Sequence, residues 1–178
     1  MLKKFKTKNG KEVSIRYVCQ SDTKDLLEMY NSLVEEKSYT TAVRKFTLKE
    51  ETLFIKSVLM KTVERREIFL VAECDGKVLG ATTVEKEIVP IKTHRAEFGI
   101  MLKKELRGEG VGEELTKTIL KEAKRFLEVK MVTLNVFEEN VPAFNLYKKI
   151  GFIPFGRLEK GVRHVKKLKT EILMVKYI

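Results

Sequence analysis

"LKKELRGEGVGEELTKTI", from Leu102 to Ile119, sets Gly108, Gly110 and Gly112 at alternate positions directly ahead of a strongly helical run. Glycine weakens regular structure, so such a cluster needs a reason in turn geometry or in a ligand that approaches the backbone. A P-loop needs G-x-x-x-x-G-K-[ST], and no Lys-Ser or Lys-Thr follows these glycines. A dinucleotide fingerprint needs G-x-G-x-x-G, and the positions where its third glycine would fall hold Glu113 and Leu115. What remains is a strand, a short basic turn, and Arg107-Gly108-Glu109-Gly110-Val111-Gly112 opening a helix. Free N–H groups at a helix start, with no Cβ to crowd them, form an anion cradle. A tight turn alone needs one glycine; three point to a bound phosphate.

The surrounding chain reads as alternating elements. "HRAEFGIML" (94–102) is a strand leading into the glycines, and Val111, Leu115, Ile119, Ala123 and Phe126 make an apolar stripe at helical spacing after them. "KMVTLNVF" is a strand, "NVPAFNLYKKI" a short helix, and "GFIPFGRLEK" and "KTEILMVKYI" the last two strands. Upstream, "EVSIRYV" (12–18) alternates like a strand. "SDTKDLLEMYNSLVEEK" reads as a helix capped by Ser21 or Asp22, with Leu26, Leu27, Tyr30, Leu33 and Val34 on its apolar face. A Thr47/Glu50 capping box opens a second helix. "IFLVAECDGKVLGATTVEKE" is a hairpin turned by Asp75-Gly76. The order is β-α-α-β-β-β-α-β-α-β-β, which predicts a mixed sheet with helices on both faces.

A chain of 178 residues with 43% hydrophobic content fits one domain, residues 1–178, without repeats or a linker. It has no run of membrane-spanning length, and "MLKKFKTKNGKEV" lacks the apolar core of a signal peptide. Cys19 and Cys74 have no metal-like spacing. They are expected to be small buried hydrophobes in a reducing cytoplasm, and no metal site is expected. The net charge of +11 would attract phosphates, acidic proteins or nucleic acid, but the basic residues are spread with few aromatics between them. Charge alone does not make a nucleic-acid binder. A solvated Lys- and Glu-rich surface of the kind seen in heat-adapted proteins accounts for it as well.

R-x-x-G-x-G (Arg107, Gly110, Gly112) after a strand is followed by N-x-x-A-x-x-x-Y-x-x-x-G-F (Asn140, Ala143, Tyr147, Gly151, Phe152). Together these resemble the GNAT superfamily of N-acetyltransferases, whose element order fits residues 12 to 178. The resemblance implies an α/β (α+β) fold with a mostly antiparallel sheet of about seven strands and one parallel pair splayed at a bulge. It implies acetyl-CoA as cosubstrate, its pyrophosphate on the N–H groups of Arg107, Gly108, Glu109, Gly110, Val111 and Gly112. The pantetheine arm would run between strands 94–102 and 131–137, along Ile100, Met101 and Leu102 on one side and Asn135 on the other. Asn140 and Ala143 would complete the wall, and Asn140 also suits an N-cap.

Acyl transfer from a thioester to an amine makes three demands. A base must take the amine's proton, an N–H donor near Gly99–Met101 must meet the oxyanion, and the departing thiolate benefits from an acid. The family commonly places a tyrosine where Tyr147 stands, although an aromatic residue one turn from Phe144 would pack there regardless. Glu97 is the preferred base, a carboxylate between Ala96 and Phe98; the plain alternative is a solvent-facing or Arg95-paired carboxylate. His94 follows as a candidate, then His164, Glu73 and Glu85. In the family, acceptor specificity comes from the N-terminal helices (about 22–65) and the loop before the last strand (about 158–169). Lys160, Arg163, Lys166, Lys167 and Lys169 in that loop lean toward a protein or peptide amine with acidic surroundings and away from a polyamine. A small amino-acid-like amine, a non-catalytic CoA-binding module and a homodimer stay open.

Overall fold

The structure is a computed structural model that describes residues 1–40 and 43–178. One sheet of eight strands forms the frame, in the order β1-β2-β3-β4-β5-β6-β8-β7. The strands are β1 (Lys3–Lys6), β2 (Glu12–Tyr17), β3 (Glu67–Cys74), β4 (Lys77–Lys86), β5 (Arg95–Leu102), β6 (Met131–Phe137), β7 (Ile153–His164) and β8 (Lys167–Tyr177). Four helices accompany them: α1 (Thr23–Glu35), α2 (Leu48–Val63), α3 (Val111–Glu122) and α4 (Val141–Ile150). Among the described residues only β5 and β6 run parallel. The eighth strand is β1, an edge strand whose "KKFK" carries a single apolar residue, Phe5, to pack on the core.

The alternation of β3 explains why both faces are covered. Ile68, Leu70, Ala72 and Cys74 pack with α3 and α4, while Phe69 and Val71 pack with α1 and α2. On α3, Val111, Leu115 and Ile119 are fully buried, each worth about 2 kcal/mol of apolar burial, which pins the glycine turn against the sheet. Phe126 at the end of the predicted stripe is partly buried. On α1 the buried face is Leu26, Met29, Tyr30 and Leu33, whereas Leu27 and Val34 are half-buried.

The Thr47/Glu50 capping box is present, and Asp75-Gly76 turns the β3–β4 hairpin with both residues at positive φ. Asp22 occupies the N-cap of α1 without capping it, because Arg16 takes its carboxylate in a two-pronged pair at 2.7 and 2.8 Å. Cys74 is buried as expected. Cys19 is exposed at the β2–α1 junction, where its N–H donates to Asp22 Oδ2. The expected loop over 158–169 is instead the tip of a long hairpin. Polar residues there continue β7 and β8 past a register shift at Leu158/Val162, and Val165 and Lys166, both at positive φ, make a tight turn. Among the described residues no helix is long and apolar enough to cross a membrane.

Candidate active site

The parallel pair separates almost at once. β5 and β6 match only at Arg95–Met131, Ala96–Val132 and Glu97–Thr133, after which β5 stays with β4 and β6 with β8. The β4–β5 register is unbroken from Lys86–Ala96 to Gly80–Leu102, so the fork opens without the bulge that the resemblance implied.

Register decides which backbone groups face the gap. Lys103 N–H bonds Leu79 O and Glu87 N–H bonds Arg95 O, so the odd residues of β5 point toward β4 and the even ones toward β6. Ile100 and Leu102 therefore turn their amides into the fork, while Gly99 and Met101 do not, which narrows the expected Gly99–Met101 donor to Ile100. On β6, Glu138 N–H to Thr170 O and Ile178 N–H to Lys130 O make the odd residues face the fork. Asn135 is thus the residue opposite.

At the end of β5 lies the glycine turn. Gly108 (φ 75°) and Gly110 (φ 86°) hold left-handed backbone, and an added Cβ at either would point into open space. Gly112 has a packing reason instead: its Cβ would come within 3.3 Å of Leu102 Cδ1 and Leu146 Cδ2. Among the described residues, the backbone N–H groups of 108 to 113 have no acceptor, and Gly110 at the N-cap of α3 brings no side chain to satisfy them. This row at a helix N-terminus, beside a surface open at two of its glycines, suits an anion and fits a pyrophosphate.

A cleft of about 1670 Å³ joins the turn, the fork and the α1/α2 face. Of the residues expected to hold cosubstrate, Ile100, Met101, Leu102, Arg107, Gly108, Gly110, Gly112, Asn135, Asn140, Ala143 and Tyr147 line it. Two side chains do not. Val111 is buried in the core, and the Glu109 carboxylate turns away to accept the Asn9 N–H at 3.0 Å. Arg107 lines the cleft but is already engaged. Its Nε donates to Leu102 O at 2.9 Å and its guanidinium grips Glu36 at 2.5 and 2.8 Å, holding that carboxyl below the usual range. Asn140 caps α4, its side chain accepting the Ala143 N–H at a long 3.4 Å.

Tyr147 is buried between Phe98 and Phe152, edge-on at 5.8 and 5.9 Å, and burial pushes its hydroxyl up to about 12. It is a protonated donor at neutral pH. Glu97 is exposed in the cleft at the last matched position of the fork, with no ion pair among the described residues and none with Arg95. Of the other base candidates, Glu85 lies directly across from Glu97 and lines the cleft, but it is already engaged. His94 is exposed outside the cleft, Glu73 pairs with Arg16, and Glu85 pairs with Lys61 at 2.7 Å. His164 does line the cleft. Its Nε2 contacts Ser38 O at 3.0 Å and its ring stacks with Tyr39 and Phe137, so it ties the hairpin to the segment after α1.

Two cleft residues escaped the reading of the sequence. Glu51 and Glu67 are each 3% exposed. Burial alone pushes the Glu51 carboxyl up to about 7, and burial raises Glu67 against the pull of Lys61. A signal existed for Glu51: it shares its stripe on α2 with Ile55 and Val58, at the spacing of a buried helical face.

Comparison with known proteins agrees with this geometry. The acetyltransferase (GNAT) family profile matches residues 26–152. An L-amino acid N-acetyltransferase of Escherichia coli K12 is 36% identical over 83 residues, covering 47% of this chain and 51% of that protein. A spermidine N(1)-acetyltransferase of the same organism is 34% identical over 97 residues, covering 53% and 48%. The matched stretch thus spans about half the length of these relatives. A GNAT acetyltransferase structure from Streptococcus pneumoniae superposes at TM-score 0.83 with 23% identity, over 93% of this chain and 99% of the other. A phosphinothricin acetyltransferase of Sinorhizobium meliloti in complex with acetyl-CoA does so at 0.82 with 16% identity, over 93% and 88%.

Proposed function

The chain belongs to the GNAT acetyltransferase family, and from that membership we propose that it moves an acetyl group from acetyl-CoA to a primary amine without a covalent enzyme intermediate. The observation that carries the reading is the row of N–H groups over 108–113 with no acceptor among the described residues, set just past the end of β5, beyond the point where β5 and β6 diverge. Acetyl-CoA supplies the acyl carbonyl as a thioester. In this reading the N–H groups of the glycine turn hold its pyrophosphate, and the inward-facing backbone of Ile100, Leu102 and Asn135 aligns the pantetheine arm.

The amine nitrogen forms a bond to the acyl carbon and the carbon–sulfur bond breaks. Glu97, or a water it orders, takes the amine's proton; the Ile100 N–H meets the charge that develops on oxygen; Tyr147 O–H returns a proton to the departing sulfur. The products are an acetamide and the free thiol of CoA. The assay that tests this is release of that thiol from acetyl-CoA across a panel of amines, peptide N-termini and lysine peptides. Turnover with at least one acceptor is expected, and none with any would overturn it.

A second reading of the acceptor, a protein or peptide amine in acidic surroundings, is favoured by the β7–β8 hairpin. Lys160, Arg163, Lys166 and Lys167 project there without an ion pair among the described residues, although Lys169 pairs with Glu139 at 2.6 Å. The relatives act, by their names, on amines as different as amino acids and spermidine.

A further inference from the structure

The α1/α2 side of the cleft carries a charge opposite to that of the molecule as a whole. Glu67, Glu85 and Glu97 lie directly across from one another on β3, β4 and β5, so their side chains share a face, and all three line the cleft. It is the face of Phe69, covered by α1 and α2. From α2, Glu51 joins them. Against these four carboxylates stands Lys61, at 3.3 Å from Glu67 and 2.7 Å from Glu85.

One of the carboxylates, Glu51, lacks what a buried charge requires. Glu51 Oε1 is out of water and has neither a hydrogen bond nor an ion pair among the described residues, whereas the buried Glu67 Oε2 has its one cation in Lys61, 3.3 Å away. An unpartnered buried carboxyl is costly to ionise, and a cation beside Glu51 would favour its charged form. Among the described residues no group of three ligating side chains could hold a metal ion, and the cation already present in the cluster is the ammonium of Lys61. Tyr30 and Phe54 add aromatic wall beside Glu51, their rings edge-on at 6.5 Å, suited to methylenes and to the flank of an ammonium group. Arg44 already lies over Phe46, the third ring of that wall.

Building on the acetyltransferase reading, we infer that the acceptor is a small amine bearing a second cationic nitrogen, a diamine or polyamine, whose distal ammonium is received by Glu51 and Glu67 while its reacting amine lies at Glu97. Two strand spacings separate Glu67 from Glu97, about 10 Å, within the reach of an extended polyamine. A monoamine leaves Glu51 without a partner. An amino acid would bring its own carboxylate against four others.

The test compares spermidine and 1,4-diaminobutane with butylamine and alanine as acceptors, by initial rates of thiol release, on the unmodified protein and on Glu51→Gln and Glu67→Gln. Spermidine is expected to exceed butylamine by about thirtyfold in kcat/KM. Either substitution should cut that ratio about tenfold, mainly through KM. In parallel, spermidine alone should raise the Tm of the protein without acetyl-CoA, and should do so less for each variant than for the unmodified chain. Equal kcat/KM for spermidine and butylamine, or a ratio untouched by both substitutions, would overturn the inference and leave the acetyltransferase reading intact. Absence of turnover with every amine would overturn the acetyltransferase reading, and the Tm arm would still decide the cation site: no shift with spermidine rejects it.

Discussion

The two ends of the cleft are built from different material. At one end, residues 108–113 offer backbone N–H groups, and the side chains nearby either point away, as Glu109 does, or are occupied, as Arg107 is. At the other end, the recognition groups are the carboxylates of Glu51, Glu67, Glu85 and Glu97, drawn from one helix and three strands. A backbone site needs permissive glycines at fixed spacing in one short segment. A side-chain site needs only that register bring distant residues onto one face. The first suits a cosubstrate common to a family, and the second can change its acceptor without disturbing the frame.

That contrast yields tests of graded size. The largest effect is expected at the junction: Glu97→Gln should lower kcat by about a hundredfold with acetyl-CoA affinity unchanged. Full activity would move the base elsewhere, with Glu51 or Glu85 the next to examine.

The acceptor end should also betray itself in stability. Glu51 titrates near 4.5 when unfolded and is pushed up to about 7 by burial when folded, near Tyr30 of α1, which also senses Glu67 of β3. A carboxyl with a raised folded pKa favours the folded state at low pH, and that support is lost as pH rises from 4.5 through 7. Glu51→Gln should therefore gain about 3 kcal/mol over the parent between pH 4.5 and pH 8, read from denaturant midpoints. A difference that does not change with pH would mean the carboxyl is solvated or paired.

Smaller effects belong to the cosubstrate end, where side chains matter least. Asn140→Ala should cost about 1 kcal/mol of stability through loss of the α4 cap. Arg107→Ala should weaken acetyl-CoA binding only about threefold, because its guanidinium serves Glu36 and the Leu102 carbonyl. A hundredfold loss would show that the arginine releases Glu36 to grip phosphate.

The same contrast explains what could be read from the sequence. The glycine turn, the capping box at Thr47 and the Asp75-Gly76 hairpin each sit within a few residues, where local chemistry dictates geometry. Lys3–Lys6 was invisible as a strand because one phenylalanine among lysines makes no pattern. The polar run from Leu158 to His164 read as a loop because an exposed hairpin arm buries too little to alternate. The acidic face was hidden for a deeper reason: Glu67, Glu85 and Glu97 become neighbours only through the β3–β4–β5 register. The basic hairpin, contiguous in sequence, therefore drew attention that the acceptor pocket did not.

The central claim is that residues 108–113 hold acetyl-CoA through bare backbone. Calorimetric titration of acetyl-CoA into the protein and into Gly110→Glu tests it most directly. The account predicts a defined binding isotherm for the parent and at least about a hundredfold weaker binding for the variant, whose side chain brings negative charge and bulk to the open face of the turn. Equal binding by both proteins, or none by the parent, would contradict it.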